Sequence, residues 1–302
     1  MKTKLKTRIA PTPSGLLHAG NGVSFILTYA FARAYHGQLL LRIDDLDAER
    51  MRIEYLEDIF RTLDWLGIEW DEGPTLVADF QQNWSQHHRL DLYQNTINTL
   101  KNTEGVYACN CSRKQIRETS INGLYPQICH LKQLNFEEKN IAWRIHVPEV
   151  TKVSFNNFDL ETHNIQQLQV NLHETIGDFV IRQKNGFPAY QVASMVDDVH
   201  FSVNFIVRGS DLLPSTAAQV FIAEQLGRTE FTESLFTHHG LLVNEHGEKL
   251  SKSQGASALS DWQKSGKTSE FLVKQAAKWL NLDEIGNLNE LIAVLRSNIF
   301  LR

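Results

Sequence analysis

The chain has 302 residues, 42% hydrophobic and 22% charged, the balance of an ordinary globular protein with enough core for one large domain or two modest ones. A formal net charge of -5 argues against coating nucleic acid by bulk electrostatics, while leaving room for a local basic groove. The opening MKTKLKTRIAPTPSG has basic residues with no apolar run behind them, and Val23 to Tyr35 is interrupted at Ser24, Thr28 and Arg33. Neither is a secretory signal or a membrane span, so a cytoplasmic protein without membrane contact is expected, and a monomer.

In chain order, Lys6 to Ala10 reads as a short strand running into a Pro-Thr-Pro-Ser-Gly turn. A helix follows from about His18 to Tyr35, then a second buried strand over Gln38 to Asp44. Asp47 is placed to cap a helix in which Ile53, Leu56, Phe60, Leu63 and Leu66 recur at helical spacing. Strand, helix, strand, helix opens a parallel α/β sheet. Another amphipathic helix runs through Leu90, Tyr93, Ile97 and Leu100. From about Tyr107, short alternating runs (Ile141 to Val147, Val153 to Phe155, Leu168 to Leu172) suggest an antiparallel insertion. Helix and strand signals resume at Ala189 to Val199, Phe205 to Arg208 and Ser215 to Leu226, and the last residues read mostly as helix. The expected division is 1–86, first half of a nucleotide-binding sheet; 87–176, insertion; 177–243, second half; and 244–302, a lysine loop and helical tail.

Two motifs carry phosphate chemistry. His18-Ala19-Gly20-Asn21 sits where a turn meets a helix N-terminus, which offers unpaired N–H groups and a favourable dipole. Gly20 permits close approach of a nucleotide, and His18 can donate to a phosphoryl oxygen as charge develops. Lys249-Leu250-Ser251-Lys252-Ser253, between Gly247 and Gly255, puts two lysines on a small-residue loop suited to a departing pyrophosphate. Either motif alone is weak; together, at this order in the chain, they mark an ATP site.

With these residues in place the chain resembles a class I aminoacyl-tRNA synthetase, HAGN and KLSKS standing for the family's two signatures. It is similar to the glutamyl branch: Arg8-Ile9-Ala10-Pro11-Thr12-Pro13-Ser14-Gly15, Leu41-Arg42-Ile43-Asp44-Asp45-Leu46-Asp47 and Pro188-Ala189-Tyr190-Gln191 fit its pattern. The resemblance implies a Rossmann-like parallel sheet, ATP with Mg²⁺, L-glutamate and tRNA as partners, and catalysis by His18, Lys249 and Lys252, with Gly20, Asn21 and Ser251 also on ATP. It assigns Arg208 to the side-chain carboxylate of glutamate, with Arg8 and Tyr190 beside it. Arginine suits that task because its guanidinium forks onto a carboxylate. The segment Arg8, Ile9, Ala10, Pro11, Thr12 would line the substrate and Asp44 would hold its ammonium group. Two departures stand out: Asp44 where the family usually has Glu, and Ser194 where full-length glutamyl enzymes tend to have Asn.

All three cysteines fall in Cys109-Asn110-Cys111 and Cys129, and such clustering in a reducing compartment favours one tetrahedral zinc. Coordination chemistry alone selects His130 as fourth ligand, although its adjacency to Cys129 is awkward. The resemblance instead implies Tyr125, since a short glutamyl-like group, the glutamyl-queuosine tRNA(Asp) synthetases, carries a similar C-x-C…Y…C pattern with a structural zinc. The forty-nine residues after Ser253 are too few for an anticodon-reading module. The resemblance therefore narrows to that group, whose acceptor is queuosine in the anticodon stem-loop of tRNA(Asp). The rivals are a shortened enzyme charging the 3′ end of tRNA(Glu) and an idle tRNA- or glutamate-binding paralogue. Arg113, Lys114, Arg117 and Lys132 are candidate tRNA contacts, equally well read as a solvated surface.

Overall fold

In this computed structural model strand β1 (Lys6–Ile9) pairs in parallel with β2 (Gln38–Leu41), from Lys6 opposite Gln38 to Ile9 opposite Leu41. The residues described are 4–47, 49–120, 122–242, 258–282 and 284–297. The crossover is the helix Ala19–Ala34, in which Val23, Ile26, Leu27, Ala30 and Phe31 are fully buried. A helix buried nearly all round needs cover on both sides. The sheet covers one; the tail helices Glu270–Trp279 and Leu288–Ser297 cover the other. A Cβ on Gly22 would lie 2.8 Å from Leu272 Cδ1 and 3.1 Å from Leu259 Cδ1, so a glycine is what lets the tail dock that closely.

β2 ends at Leu41, three residues before the expected Asp44. The backbone stays bonded to its neighbour (Arg42 N–H to Ile9 O, Asp44 N–H to Pro11 O, each 2.9 Å), but Arg42 and Asp44 turn into a buried ion-pair network. Asp47 is not the cap of the next helix. That helix is Ile53–Trp65, its N-cap is Arg52 with no side-chain bond, and Asp47 instead pairs at the surface with Arg50 at 3.3 Å. A turn closed by Arg50 N–H on Asp47 O comes first and displaces the start.

Downstream, β3 (Val106–Cys109), β4 (Ala142–Ile145), β5 (Lys152–Phe158), β6 (Ile165–Asn171), β7 (Phe179–Arg182), β8 (Phe205–Gly209) and β9 (Leu235–His239) form two further sheets. One is antiparallel, in the order β3-β4-β7; the other runs β6-β5-β9-β8, with β8 and β9 parallel. β1 lies beside β8: Asn204 N–H donates to Lys6 O at 3.0 Å, and Arg8 Nη1 reaches Val207 O at 3.3 Å. Phe31 packs edge-on against Phe158 and Phe205, with ring centroids 5.7 and 5.3 Å away, joining the two parallel units in one core.

Sheet membership crosses the expected boundaries. β5 lies within 87–176 yet pairs in parallel with β9, and β7 lies beyond 176 yet completes the sheet of β3 and β4. Alternation tells that a strand has one buried face, not which strand it will pair with. No helix among the described residues is long and apolar enough to cross a membrane.

Candidate active site

The chain leaves β1 at Ile9, turns through Pro11 and Pro13, and enters the first helix with His18 as N-cap. His18 Nδ1 accepts from Gly20 N–H at 3.2 Å, while Asn21 Oδ1 accepts from His18 N–H at 3.1 Å. This reciprocal pair does the work of a Ser…Glu capping box with an imidazole and an amide. Because Nδ1 accepts, the neutral ring carries its proton on Nε2, as a donor. A Cβ on Gly20 would sit 3.1 Å from His18 Cε1 and 3.2 Å from Nδ1, so any side chain there would press the imidazole off its present position.

Below this turn lies a buried charge network. Arg8 Nε (2.9 Å) and Arg42 Nη1 (2.7 Å) both donate to Asp198 Oδ1. Arg42 also grips Asp44 with Nε and Nη2 at 2.7 and 3.0 Å, and reaches the Ser194 hydroxyl at 3.1 Å. Burial alone would lower the Arg42 pKa, and Asp44, Asp198 and Asp197 together carry it well above its usual value. Burial raises the Asp44 carboxyl above its ordinary value despite the pull of Arg42. Asp197 is braced from the other side by Arg89, Gln86 and Tyr93.

Arg208, on β8, differs from its neighbours. Its Nη1 donates to Gln219 Oε1 at 2.8 Å and Thr216 Oγ1 at 3.2 Å, but Nε and Nη2 have no hydrogen-bond partner among the described residues. The nearest anion, Asp198 Oδ2, is 4.0 Å from Nη2. Burial pushes the guanidinium pKa down to about 10, partly offset by Tyr190 and reinforced by Arg8. It remains a cation at neutral pH with one edge unmet.

A cleft of about 380 Å³ is lined by Arg8, Ile9, Ala10, Pro11, Thr12, His18, Gly20, Asn21, Asp44, Tyr190 and Arg208, so these expected site residues surround one space. Lys249, Ser251 and Lys252 lie outside the described residues. The flanking positions abut the cleft: Leu242 lines it, and Ala258 bridges His18, with Leu259 N–H on Leu17 O at 2.8 Å. Sequence reasoning gave no role to Arg42, Asp198 or Trp279, which reaches the cleft from the tail and stacks on His239 at 4.6 Å. The available signal was charge within apolar runs, LLLRIDD and SMVDDVH.

A second cluster lies away from the cleft. Tyr125 Oη is 3.4 Å from Cys109 Sγ and 3.6 Å from Cys111 Sγ, and Cys111 and Cys129 Sγ are 3.4 Å apart, all four residues being buried. Burial raises the Cys129 thiol, but hydrogen bonds from Tyr125 and the Asn110 backbone outweigh it and bring it to about 7. His130 turns elsewhere: its ring stacks 4.0 Å from His146, which bonds Asp178. Between the two fourth-ligand options, Tyr125 is thus the one within the thiol group. Arg113, Lys114, Arg117 and Lys132 are all exposed, the first three on the helix Arg113–Thr119.

Parallel strands thus deliver an N-capping histidine, a glycine and buried arginines to one cleft. The profile of "tRNA synthetases class I (E and Q), catalytic domain" matches residues 4–282, and the chain belongs to that family of enzymes. It is 38% identical over 282 residues to a glutamyl-Q tRNA(Asp) synthetase of Verminephrobacter eiseniae, covering 91% of this chain and 89% of the relative. It is 33% identical to a glutamate–tRNA ligase of Symbiobacterium thermophilum, of whose length it spans only 56%. The crystal structure of a glutamate–tRNA synthetase from Elizabethkingia anophelis superposes with a TM-score of 0.73 at 22% identity, over 96% of this chain and 65% of that one, a likeness of fold.

Proposed function

We propose that the protein activates L-glutamate with ATP and transfers it to queuosine in the anticodon of tRNA(Asp). The observation that carries the amino-acid choice is Arg208, whose Nε and Nη2 form one edge of a buried cation that has no partner among the described residues. A carboxylate accepts two parallel hydrogen bonds from such an edge. Tyr190 and Arg8 flank the substrate, and Asp44 faces its ammonium group.

In the first step an oxygen of the glutamate α-carboxylate attacks the α-phosphorus of Mg²⁺-bound ATP. The Pα–O bond to the β-phosphate breaks, and pyrophosphate leaves with the electron pair. His18 Nε2–H, the helix N-terminus at Gly20 and Asn21, and the lysines Lys249 and Lys252 stabilise the negative charge that grows there. In the second step a hydroxyl oxygen of the acceptor attacks the glutamyl carbonyl, the acyl–phosphate C–O bond breaks, an ester forms, and AMP departs as its phosphate takes up the hydroxyl proton. Activation proceeds without tRNA.

The donor set of Cys109, Cys111, Cys129 and Tyr125 fits a tetrahedral structural zinc, which would tie the end of β3 to the following loops.

The acceptor choice is supported by relatives named for glutamyl-Q tRNA(Asp) at 36–38% identity, among them those of Dechloromonas aromatica and Janthinobacterium, of which the chain covers 82% and 85%. Similarity to glutamate–tRNA ligases favours, as second reading, charging of tRNA(Glu) at its 3′ end. Labelled glutamate offered with total tRNA from queuosine-containing and queuosine-free cells separates them. Label on tRNA(Asp) that vanishes without queuosine is expected; label on tRNA(Glu) that persists without queuosine and is lost when the 3′-terminal adenosine is removed beforehand would establish the second.

A further inference from the structure

One nitrogen of Arg208 does the anchoring, and its anchor has an anchor of its own. Thr216 Oγ1, which accepts from Arg208 Nη1 at 3.2 Å, also lies 2.8 Å from His238 Nε2. His238 Nδ1 in turn lies 2.8 Å from Asn157 Oδ1. An amide oxygen only accepts, so Nδ1 carries the ring proton and, in the neutral imidazole, Nε2 is left as a pure acceptor. The Thr216 hydroxyl must then give its hydrogen to His238, and its lone pairs are turned to Arg208. The alternative acceptor for that hydrogen is Leu212 O, at 3.2 Å. Burial, with the Arg208 cation and His239 alongside, pushes the His238 pKa down to about 3, which keeps the ring neutral at working pH. The chain of bonds thus spans β5 (Asn157), β9 (His238), the helix Leu213–Gln225 (Thr216) and β8 (Arg208).

We propose that His238 is a positioning residue for amino-acid selection: through Thr216 it fixes the Arg208 guanidinium so that the Nε–Nη2 edge is presented to a carboxylate. A carboxylate offers two acceptors to that edge, whereas a carboxamide offers one acceptor and one opposing N–H. Any rotation of the guanidinium away from the cleft therefore weakens glutamate binding and with it the discrimination against glutamine. The inference rests on the reading of Arg208 as carboxylate receptor.

The test is glutamate-dependent pyrophosphate exchange, with KM measured separately for glutamate and ATP in His238→Leu, His238→Gln, Thr216→Val and Arg208→Gln. His238→Leu and Thr216→Val are expected to raise the glutamate KM about tenfold, the scale of one hydrogen bond to a charged group. The ATP KM should stay within about twofold, because uniform loss of folded enzyme moves neither KM. His238→Gln, whose amide both donates and accepts, is expected to recover most of the affinity. An unchanged glutamate KM in Thr216→Val and His238→Leu, or a rise shared equally with ATP, overturns the proposal. Should His238→Leu fail to fold, Thr216→Val and His238→Gln decide it alone. If Arg208→Gln itself leaves the glutamate KM unchanged, the underlying reading of Arg208 fails first, and the two failures are distinguishable.

Discussion

Arg42 and Asp198 meet at 2.7 Å, and the same carboxylate oxygen takes Arg8 Nε at 2.9 Å, so one buried acid fixes two arginines of the cleft. Both partners are almost fully buried, with side-chain exposures of 2% and 0%. A pair of this kind contributes little net stability compared with an apolar isostere, but losing one member leaves an uncompensated charge. Asp198→Ala is expected to destabilise the fold by about 3–5 kcal/mol, and Asp198→Asn by less because it still accepts hydrogen bonds. Urea unfolding of the purified variants measures this. A change below about 1 kcal/mol in Asp198→Ala would mean that water compensates the arginines.

Much of this centre was legible because its chemistry is local in sequence. The histidine, glycine and asparagine of HAGN act within one helical turn, so their residue types reveal the cap. Arg8 and Arg208 are singled out through the resemblance to the glutamyl branch, and their strands by apolar runs. The network beneath them could not be singled out, since Arg42 and Asp198 are separated by 156 positions. Likewise β5 showed its buried face in the sequence, but its pairing with β9 arises from tertiary packing. The cysteine spacing pointed to one cluster, yet the choice between Tyr125 and His130 depended on the backbone. His130 follows Cys129 directly, and its ring is carried onto His146 instead.

That geometry sets an expectation for metal content. Purified wild-type protein should hold about one zinc per chain, the stoichiometry of a closed four-ligand site. Tyr125→Phe removes an oxygen that sits 3.4 Å from Cys109 Sγ and should lower zinc content or ease its removal by chelator. His130→Ala should leave zinc content unchanged. Elemental analysis after graded chelator treatment checks both. Normal zinc retention in Tyr125→Phe together with loss in His130→Ala would reverse the assignment. Stripping the metal should lower the thermal midpoint with little effect on the glutamate KM at moderate temperature, because the cluster is not among the residues lining the cleft.

Acid should destabilise the chain partly through His238. Its pKa falls from 6.5 to about 3 on folding, as burial and the neighbouring Arg208 disfavour the charged ring. The unfolded chain then binds the extra proton first as pH drops below 6.5, so this residue's contribution is intact above that value. It is lost progressively toward pH 3. His238→Gln does not titrate. Its unfolding free energy should therefore fall less steeply between neutral pH and pH 4 than that of the wild type, a difference read from urea midpoints at several pH values. Identical slopes would assign the acid sensitivity to other groups.

Gly20→Ala separates the cap from the chemistry. The added methyl would lie 3.1 Å from His18 Cε1, tighter than ordinary van der Waals contact, and the imidazole is the softer side of that contact. Gly20 is helical and has no positive φ, so the backbone tolerates alanine there and helix propensity slightly favours it. The fold should survive with a near-native thermal midpoint. The ring, however, must move off the Gly20 N–H that it now accepts from at 3.2 Å, and Nε2 moves with it. A displacement of a few tenths of an ångström up to one ångström at a group that meets developing charge costs up to about 10²-fold in rate. Glutamate-dependent pyrophosphate exchange should therefore drop by about ten- to a hundredfold in kcat, with the glutamate KM little changed because Arg208 and Tyr190 are untouched. A fall in thermal midpoint that accounts for the lost activity would show instead that the glycine serves packing alone.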